Sequence, residues 1–239
     1  MIPLSQCCAI VPTFNNGGTV AAVVKGVLEQ GLPVIVVDDG STDATASALE
    51  GLPITLVRHP ENRGKGRALQ SGFREALRQG FRFAVTLDAD LQHHPADIPV
   101  LLEAGGEKTL VVGSRNLTAE GMPKGNTFAN RFSNFWFALQ TGRRLPDTQT
   151  GFRLYPLEDL PSLRLLTRRY EAELTLLVFS AWKGLILRPV PVRVSYPEDR
   201  VTHFRPFRDF ARISVLNTVL CLLSLVYGYP RMILHKIFK

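Results

Sequence analysis

The chain has 239 residues, is 45% hydrophobic and 21% charged, and carries a formal net charge of +7. That apolar fraction suits one large domain or a domain with an appendage and excludes a wholly disordered chain. Its 19 Gly and 16 Pro without a period exclude collagen, and the lack of internal repeats excludes a solenoid or propeller. The basic surplus is concentrated at one end: residues 201–239 hold Arg205, Arg208, Arg212, Arg231, Lys236 and Lys239 against Asp209 alone. Cys7, Cys8 and Cys221 leave an odd count, and a bridge between the adjacent pair is strained, so a reducing compartment is expected. The N-terminus lacks the basic flank and length of a signal sequence, so the catalytic part is expected in the cytosol.

In chain order, short apolar runs at 7–11, 34–37, 54–57, 83–87 and 110–112 alternate with helical periodicity at 20–29, 44–49, 68–79 and 98–103. This β-α-β-α order predicts an α/β fold with a mostly parallel sheet covered by helices. Ligands of such sheets bind beyond the carboxyl ends of the strands, so chemistry is expected at 12–16, at 38–43 and at Asp88, Ala89 and Asp90. Residues 114–130, with Gly121, Pro123 and Gly125, read as a mobile lid over the same edge. Further on, a helix is expected over 172–182 and a strand pair over 185–194, split by Pro189 and Pro191.

Asp88-Ala89-Asp90 puts two carboxylates one residue apart where a buried strand enters a loop, a donor set suited to Mg²⁺ or Mn²⁺ completed by substrate phosphate oxygens. The alternative is an acidic turn in which one Asp caps a helix. His93 and His94 have no partners at zinc-ligand spacing and read as a solvated turn before Pro95. Asp38-Asp39-Gly40-Ser41-Thr42-Asp43 ends a strand in two acids, which can take ribose hydroxyls or a base N–H, while Ser41, Thr42 and Asp43 serve equally as helix caps. Asn62-Arg63-Gly64-Lys65-Gly66-Arg67-Ala68 is a glycine-rich basic turn able to approach a diphosphate, the alternative being an ordinary surface turn. It matches neither a P-loop nor a dinucleotide fingerprint.

These segments, with Val11-Pro12-Thr13-Phe14-Asn15 ahead of them, resemble in order the inverting glycosyltransferases of family 2, whose catalytic domain is the nucleotide-sugar-binding α/β fold called GT-A. The resemblance runs from about residue 9 to residue 194. Gly113-Ser114-Arg115 and Asp147-Thr148-Gln149-Thr150-Gly151-Phe152-Arg153 make it most similar to the polyprenyl-phosphate sugar synthases of the dolichol-phosphate mannose type. The resemblance implies that Pro12, Phe14, Asp39 and Lys65 contact the nucleotide, with Asn15 and Ala89 also in the donor site. It implies further that Asp88, Asp90 and Gln92 hold the metal and that Arg115 and Arg131, with Arg153, serve the acceptor phosphate. Asn16 departs from the family, which often has an acid there that positions the base, and the segment 200–208 resembles the dolichol type loosely.

Expulsion of a nucleoside diphosphate builds negative charge that a divalent ion can stabilise. A lipid monophosphate is already largely anionic at neutral pH and attacks without a base, whereas a hydroxyl acceptor needs a carboxylate. Glu171 or Glu173 stands where hydroxyl-using relatives carry that base, although acids in the first turn of a helix also serve its positive end. Arg115, Arg131 and Arg153 favour the phosphate, since guanidinium binds it bidentately. The expected reaction is thus transfer of mannose or glucose from a nucleotide diphosphate sugar to a polyprenyl-phosphate lipid with inversion, the alternative being transfer to a lipid or carbohydrate hydroxyl. Residues 213–229 are almost wholly apolar between basic flanks, 17 residues at the bottom of the spanning range, and predict an interfacial or re-entrant helix; a core helix and a short span are the alternatives. The division expected is a catalytic domain over 1–200 and a basic, apolar, membrane-associating helical tail over 201–239, seated on the anionic cytoplasmic face of a membrane as a peripheral or monotopic protein. Nucleic acid is not an expected partner, because the bases border an apolar run and no recognition-helix or RNA-binding aromatic pattern accompanies them.

Overall fold

The structure is a computed structural model and describes residues 1–115, 124–162, 171–195 and 206–237, with the side chains of 124–128, 206–212 and 235–237 left aside. A seven-stranded sheet has the order β3-β2-β1-β4-β6-β5-β7. Its strands are β1 (Cys7–Thr13), β2 (Val34–Asp38), β3 (Thr55–Arg58), β4 (Phe83–Thr86), β5 (Thr109–Ser114), β6 (Arg153–Pro156) and β7 (Ile186–Pro191). All pairs are parallel except those of β6, which runs antiparallel to both β4 and β5. The carboxyl ends of six strands and the beginning of β6 therefore share one edge.

Every residue of β1, β2 and β4 is buried, because both faces of the sheet are covered, and this is why the strands read as continuous apolar runs with no alternation. On one face Ile10, Ile35 and Val37 pack with Leu69 and Phe73 of α3 (Lys65–Arg78) and with Leu176 and Trp182 of α6 (Glu171–Trp182). On the other, Val11 and Val36 meet Val20, Val23 and Val27 of α1 (Val20–Glu29) and Ile98 and Leu101 of α4 (Ile98–Ala104). The expected helix at 44–49 is the single turn α2 (Thr45–Ala48).

Four expectations are corrected. The lid reading of 114–130 fails at both ends, since β5 runs to Ser114 and α5 (Lys124–Thr141) is helical; 116–123 lie outside the described residues. The polar residues of α5 hid its period: Asn130, Ser133 and Asn134 face the loop at 146–149 and bond to it. The strand pair at 185–194 is one strand, β7, paired on one side only with β5, an edge position that tolerates its two prolines. Strand β6 was not foreseen, being four residues long with Arg at its start and Pro at its end. His93 is not in a solvated turn: it is buried, its ring 5.3 Å from that of Phe152.

At the C-terminus, α7 (Pro206–Leu223) continues through a π-turn (Ser224–Gly228) into α8 (Tyr229–Ile237), and this rod packs on α5 and α6. Its stretch Ile213–Leu234, 22 residues, is long and apolar enough by composition to cross a membrane.

Candidate active site

The shared sheet edge collects the predicted residues into two charged clusters with His93 between them. The first begins at the end of β1. Pro12 is buried in the strand opposite Val37, while Phe14 and Asn15 stand half-exposed at its mouth. Asn15 adopts a left-handed backbone (φ 54°), and its Oδ1 accepts from the Thr42 N–H at 2.9 Å while its own N–H donates to Ser41 Oγ at 2.9 Å. The Thr19 hydroxyl donates to the Ala89 carbonyl at 2.6 Å, tying the turn after β1 to the Asp88 loop.

Both acids at the end of β2 are occupied from within the chain. Asp38 is fully buried; its Oδ1 accepts from the Ser41 N–H at 2.8 Å and its Oδ2 lies 3.2 Å from Arg58 Nε. Asp39 accepts the N–H groups of Arg63 at 3.0 Å and Gly64 at 2.7 Å. His59 Nδ1 lies 2.6 Å from Asp39 Oδ1 and its Nε2 lies 2.9 Å from Ser71 Oγ. Gly40 has φ 76° and sits so close that a Cβ would fall 2.5 Å from the Glu61 carbonyl carbon, so the turn after β2 and the turn before α3 are packed as one unit. An open cleft of about 510 Å³, lined by Gly40, Ser41, Thr42, Arg58, His59 and Pro60, borders that unit.

Asp39 thereby fixes the backbone that delivers Lys65, the first residue of α3. The helix starts three residues earlier than its apolar period suggested, so the glycine-rich turn is in part its first turn. Lys65 Nζ lies 2.6 Å from Asp88 Oδ1 and 2.8 Å from Glu173 Oε2. Burial alone would lower the ammonium pKa, but the Asp88 and Glu173 carboxylates reverse this and hold it well above the ordinary lysine value. Asp88 is correspondingly held below the usual carboxylate range: burial opposes its ionisation, and Lys65 outweighs it. Gly151, just before β6, closes the floor of this cluster, and its carbonyl accepts from the Thr86 hydroxyl at 2.7 Å.

Asp90 is the less compensated acid. Burial, and next the charge of Asp88, push its carboxyl up to about 6, while its Oδ1 accepts from the Gln92 N–H at 3.1 Å. Glu173 is buried, and its Oε1 has no hydrogen-bond partner. Glu171 is half-exposed in the first turn of the same helix. No three His, Cys, Asp or Glu side chains converge as a ready metal cage among the described residues. Asp88 and Asp90 nevertheless offer two carboxylates one residue apart, with the buried Glu173 carboxylate nearby, hard oxygen donors that fit a divalent ion taking its remaining ligands from a substrate.

The second cluster lies at the end of β5. Arg115 donates through Nε to Asp147 Oδ2 at 2.5 Å and through a terminal nitrogen to Oδ1 at 3.0 Å, and Asn130 of α5 donates to the same Oδ1 at 2.5 Å. Burial opposes ionisation of Asp147, yet its bond to Arg115 and that residue's charge hold the carboxyl below its ordinary value. Arg131 stands exposed on α5. Arg153 behaves differently: wholly buried, it donates to the carbonyls of Thr150 at 2.8 Å, Glu173 at 2.8 Å and Thr148 at 3.0 Å, pinning the 148–150 loop to α6. His93, between the clusters, is pushed down to about 4 by burial; Asp88 opposes that shift, and Arg115 and Lys65 add to it.

Sequence reasoning missed Gly151 as a packing position, Asp147 as the partner of Arg115, and His59 and His93 as site neighbours. Only the motif 147–153 flagged the first two; the pairings themselves are long-range and leave no local pattern.

The Glycosyl transferase family 2 profile matches residues 8–159. The chain is 28% identical over 214 residues to a UDP-N-acetylglucosamine–dolichyl-phosphate N-acetylglucosaminyltransferase of Methanococcus voltae, covering 79% of this chain and 85% of that one. It is 30% identical over 167 residues to an undecaprenyl-phosphate mannosyltransferase of Micrococcus luteus, covering 65% and 68%. Its fold matches glucosyl-3-phosphoglycerate synthase from Mycobacterium tuberculosis, crystallised with Mn²⁺, UDP and glucosyl-3-phosphoglycerate, with a TM-score of 0.67 and 22% identity over 92% of this chain and 79% of that one. The chain belongs to glycosyltransferase family 2 and is related to the polyprenyl-phosphate sugar synthases.

Proposed function

We propose that this glycosyltransferase moves a hexosyl unit, mannose or glucose, from a nucleoside diphosphate sugar to a polyprenyl-phosphate lipid with inversion. The observation that carries the choice of acceptor is Glu173, the carboxylate at the position of a general base: it is buried and held 2.8 Å from Lys65 Nζ. A base must be within reach of the acceptor proton and ready to take it. A phosphate monoester, with its second pKa near 6, brings its own anionic oxygen and makes no such demand. The names of the relatives that act on dolichyl or undecaprenyl phosphate support the same choice.

In this reading a phosphate oxygen attacks the anomeric carbon, the bond from that carbon to the diphosphate oxygen breaks, and the nucleoside diphosphate departs with the electron pair. A single in-line displacement of this kind inverts the centre. Asp147 orients Arg115, which together with exposed Arg131 receives the acceptor phosphate. Phe14 and Asn15 receive the nucleoside, and Lys65 meets the diphosphate. Pro12, Asp39 and Arg153 act by position: the first inside β1, the second by holding the 63–64 backbone, the third by pinning the 148–150 loop. Asp88, Asp90 and Gln92 would hold Mg²⁺ or Mn²⁺, which supplies positive charge at the leaving diphosphate when bound. The apolar C-terminal helix, with basic residues on both sides, brings the enzyme to the membrane holding its acceptor, on the anionic cytoplasmic face.

The test is a screen of nucleotide sugars against a polyprenyl phosphate, read by product mass. A polyprenyl phosphohexose formed from a GDP- or UDP-hexose is the expected product. Transfer to hydroxyl acceptors only, abolished by Glu173→Gln, would overturn the proposal.

A further inference from the structure

The C-terminal rod has its polarity reversed with respect to the protein it packs on. Its inner stripe is Asn217, Leu220, Ser224 and Gly228, all buried. Gln140 of α5 donates to Asn217 Oδ1 at 3.0 Å, the Trp182 indole donates to the Gln140 carbonyl at 2.8 Å, and a Cβ at Gly228 would overlap that indole. The outward stripe is Val215, Val219, Leu222 and Val226, exposed at 65, 46, 63 and 76%. A helix docked on a water-soluble body ordinarily does the opposite.

The apolar surface does not end with the rod. On the neighbouring helix α5, Phe135 is 61% and Leu139 49% exposed, and Tyr229 of α8 donates to the Leu139 carbonyl at 2.5 Å, so both helices share one face. Its occupant is set by charge. Residues 124–145 carry four basic residues and no acid, and residues 206–239 carry five against Asp209 alone, so these two segments hold more positive charge than the whole chain's +7. Broad apolar exposure among bases that outnumber acids nine to one matches an anionic lipid leaflet, with apolar side chains among the acyl chains and cationic heads at the phosphates.

We propose that α5 and the C-terminal rod together form the membrane-seated surface, with Phe135 and Leu139 inserted beside Val215, Leu222 and Val226, and that the rod lies along the leaflet. It packs on α5 and α6 through its inner stripe, and a span would pull both helices into the hydrocarbon. This rests on the membrane association stated above and adds to it a helix of the catalytic body.

The experiment uses the full chain and vesicles of phosphatidylglycerol and phosphatidylcholine, plain or with brominated acyl chains. Trp136, next to Phe135 with ring centroids 5.5 Å apart, is the reporter, since the only other tryptophan, Trp182, is buried. Co-flotation with anionic vesicles and quenching of Trp136 by brominated chains are expected. Phe135→Ser/Leu139→Ser should bind at least tenfold more weakly with an unchanged melting temperature, and Val215→Ser/Val226→Ser should do likewise. Unchanged partition of the α5 double variant, or unquenched Trp136, would overturn the proposal, as would a stable dimer that covers this face and ignores vesicles. Partition is read without turnover, so failure of the proposed reaction shows separately, as vesicle binding with no sugar transfer in the donor screen.

Discussion

The Lys65 ammonium meets the Glu173 carboxylate at 2.8 Å while keeping Asp88 at 2.6 Å, so one side chain from the start of α3 joins the loop after β4 to the first turn of α6. The antiparallel course of β6 makes this possible. Because β6 begins at the edge where β1, β2, β4 and β5 end, Gly151 and Arg153 arrive beside Asp88 with no intervening turn. Lys65 neutralises one negative charge of three, leaving Asp90 with no cation beside it and Glu173 Oε1 without a hydrogen-bond partner among the described residues.

If Glu173 acts by holding Lys65, then Glu173→Gln, which keeps shape and an acceptor oxygen, should lower kcat with a polyprenyl phosphate by less than about tenfold. A general base typically contributes about 10²–10⁴-fold. A loss in that range, with a pH-rate profile that loses its acidic limb, would make Glu173 the base instead.

Gly151→Ala is expected to be far more damaging than its size suggests. The added Cβ would sit 2.8 Å from Asp88 Oδ2 and 3.1 Å from Lys65 Nζ, so the carboxylate has to turn away. The backbone at this glycine is not left-handed, so alanine adds no backbone strain. The expected result is a turnover reduced by at least tenfold with a melting temperature within a few degrees of the parent; retention of full activity would show that the position of Asp88 is not critical.

The first half of the fold was legible because strands buried on both faces become unbroken apolar runs, and the rule that parallel sheets work at their carboxyl ends then pointed to Asp39, Asp88 and Asp90. What escaped was whatever depends on distant pairing. The Arg153 side chain reads as a phosphate ligand in the motif, yet its guanidinium is consumed by carbonyls of Thr148, Thr150 and Glu173. Helix α5 escaped because Asn130, Ser133 and Asn134 break its apolar period in order to satisfy the 146–149 loop. Asp39 was found by position, although its carboxylate is taken by Arg63, Gly64 and His59.

Asp90→Ala should weaken divalent binding with little cost in stability. The carboxyl is pushed up to about 6 by burial and by Asp88, so ionised Asp90 is unfavourable in the absence of a cation. Between about pH 4, its unfolded value, and pH 6 the folded state holds more protons than the unfolded chain, and stability falls as pH rises through that window. The variant should therefore unfold in urea at equal or higher concentration than the parent at pH 7, while Mn²⁺ titration by electron paramagnetic resonance shows at least tenfold weaker binding. Undiminished Mn²⁺ affinity would remove Asp90 from the metal site.

The opposite sign applies to Asp147, whose carboxyl is held below its ordinary value by Arg115 against the opposing effect of burial. A depressed carboxylate contributes stability above its unfolded pKa of about 3.9 that is lost as pH falls through the folded value. Asp147→Asn removes the wholly buried carboxylate to which Arg115 donates, and breaking such a pair from one side costs about 3 kcal/mol. Urea unfolding should thus show a large gap between parent and variant at pH 7 that narrows steadily below about pH 4, because the parent carboxyl then becomes neutral like the amide. A gap that stays constant down to pH 2.5 would mean that Asp147 stabilises the loop through its shape and hydrogen bonds to Asn130 and Gln149 and not through its charge on Arg115.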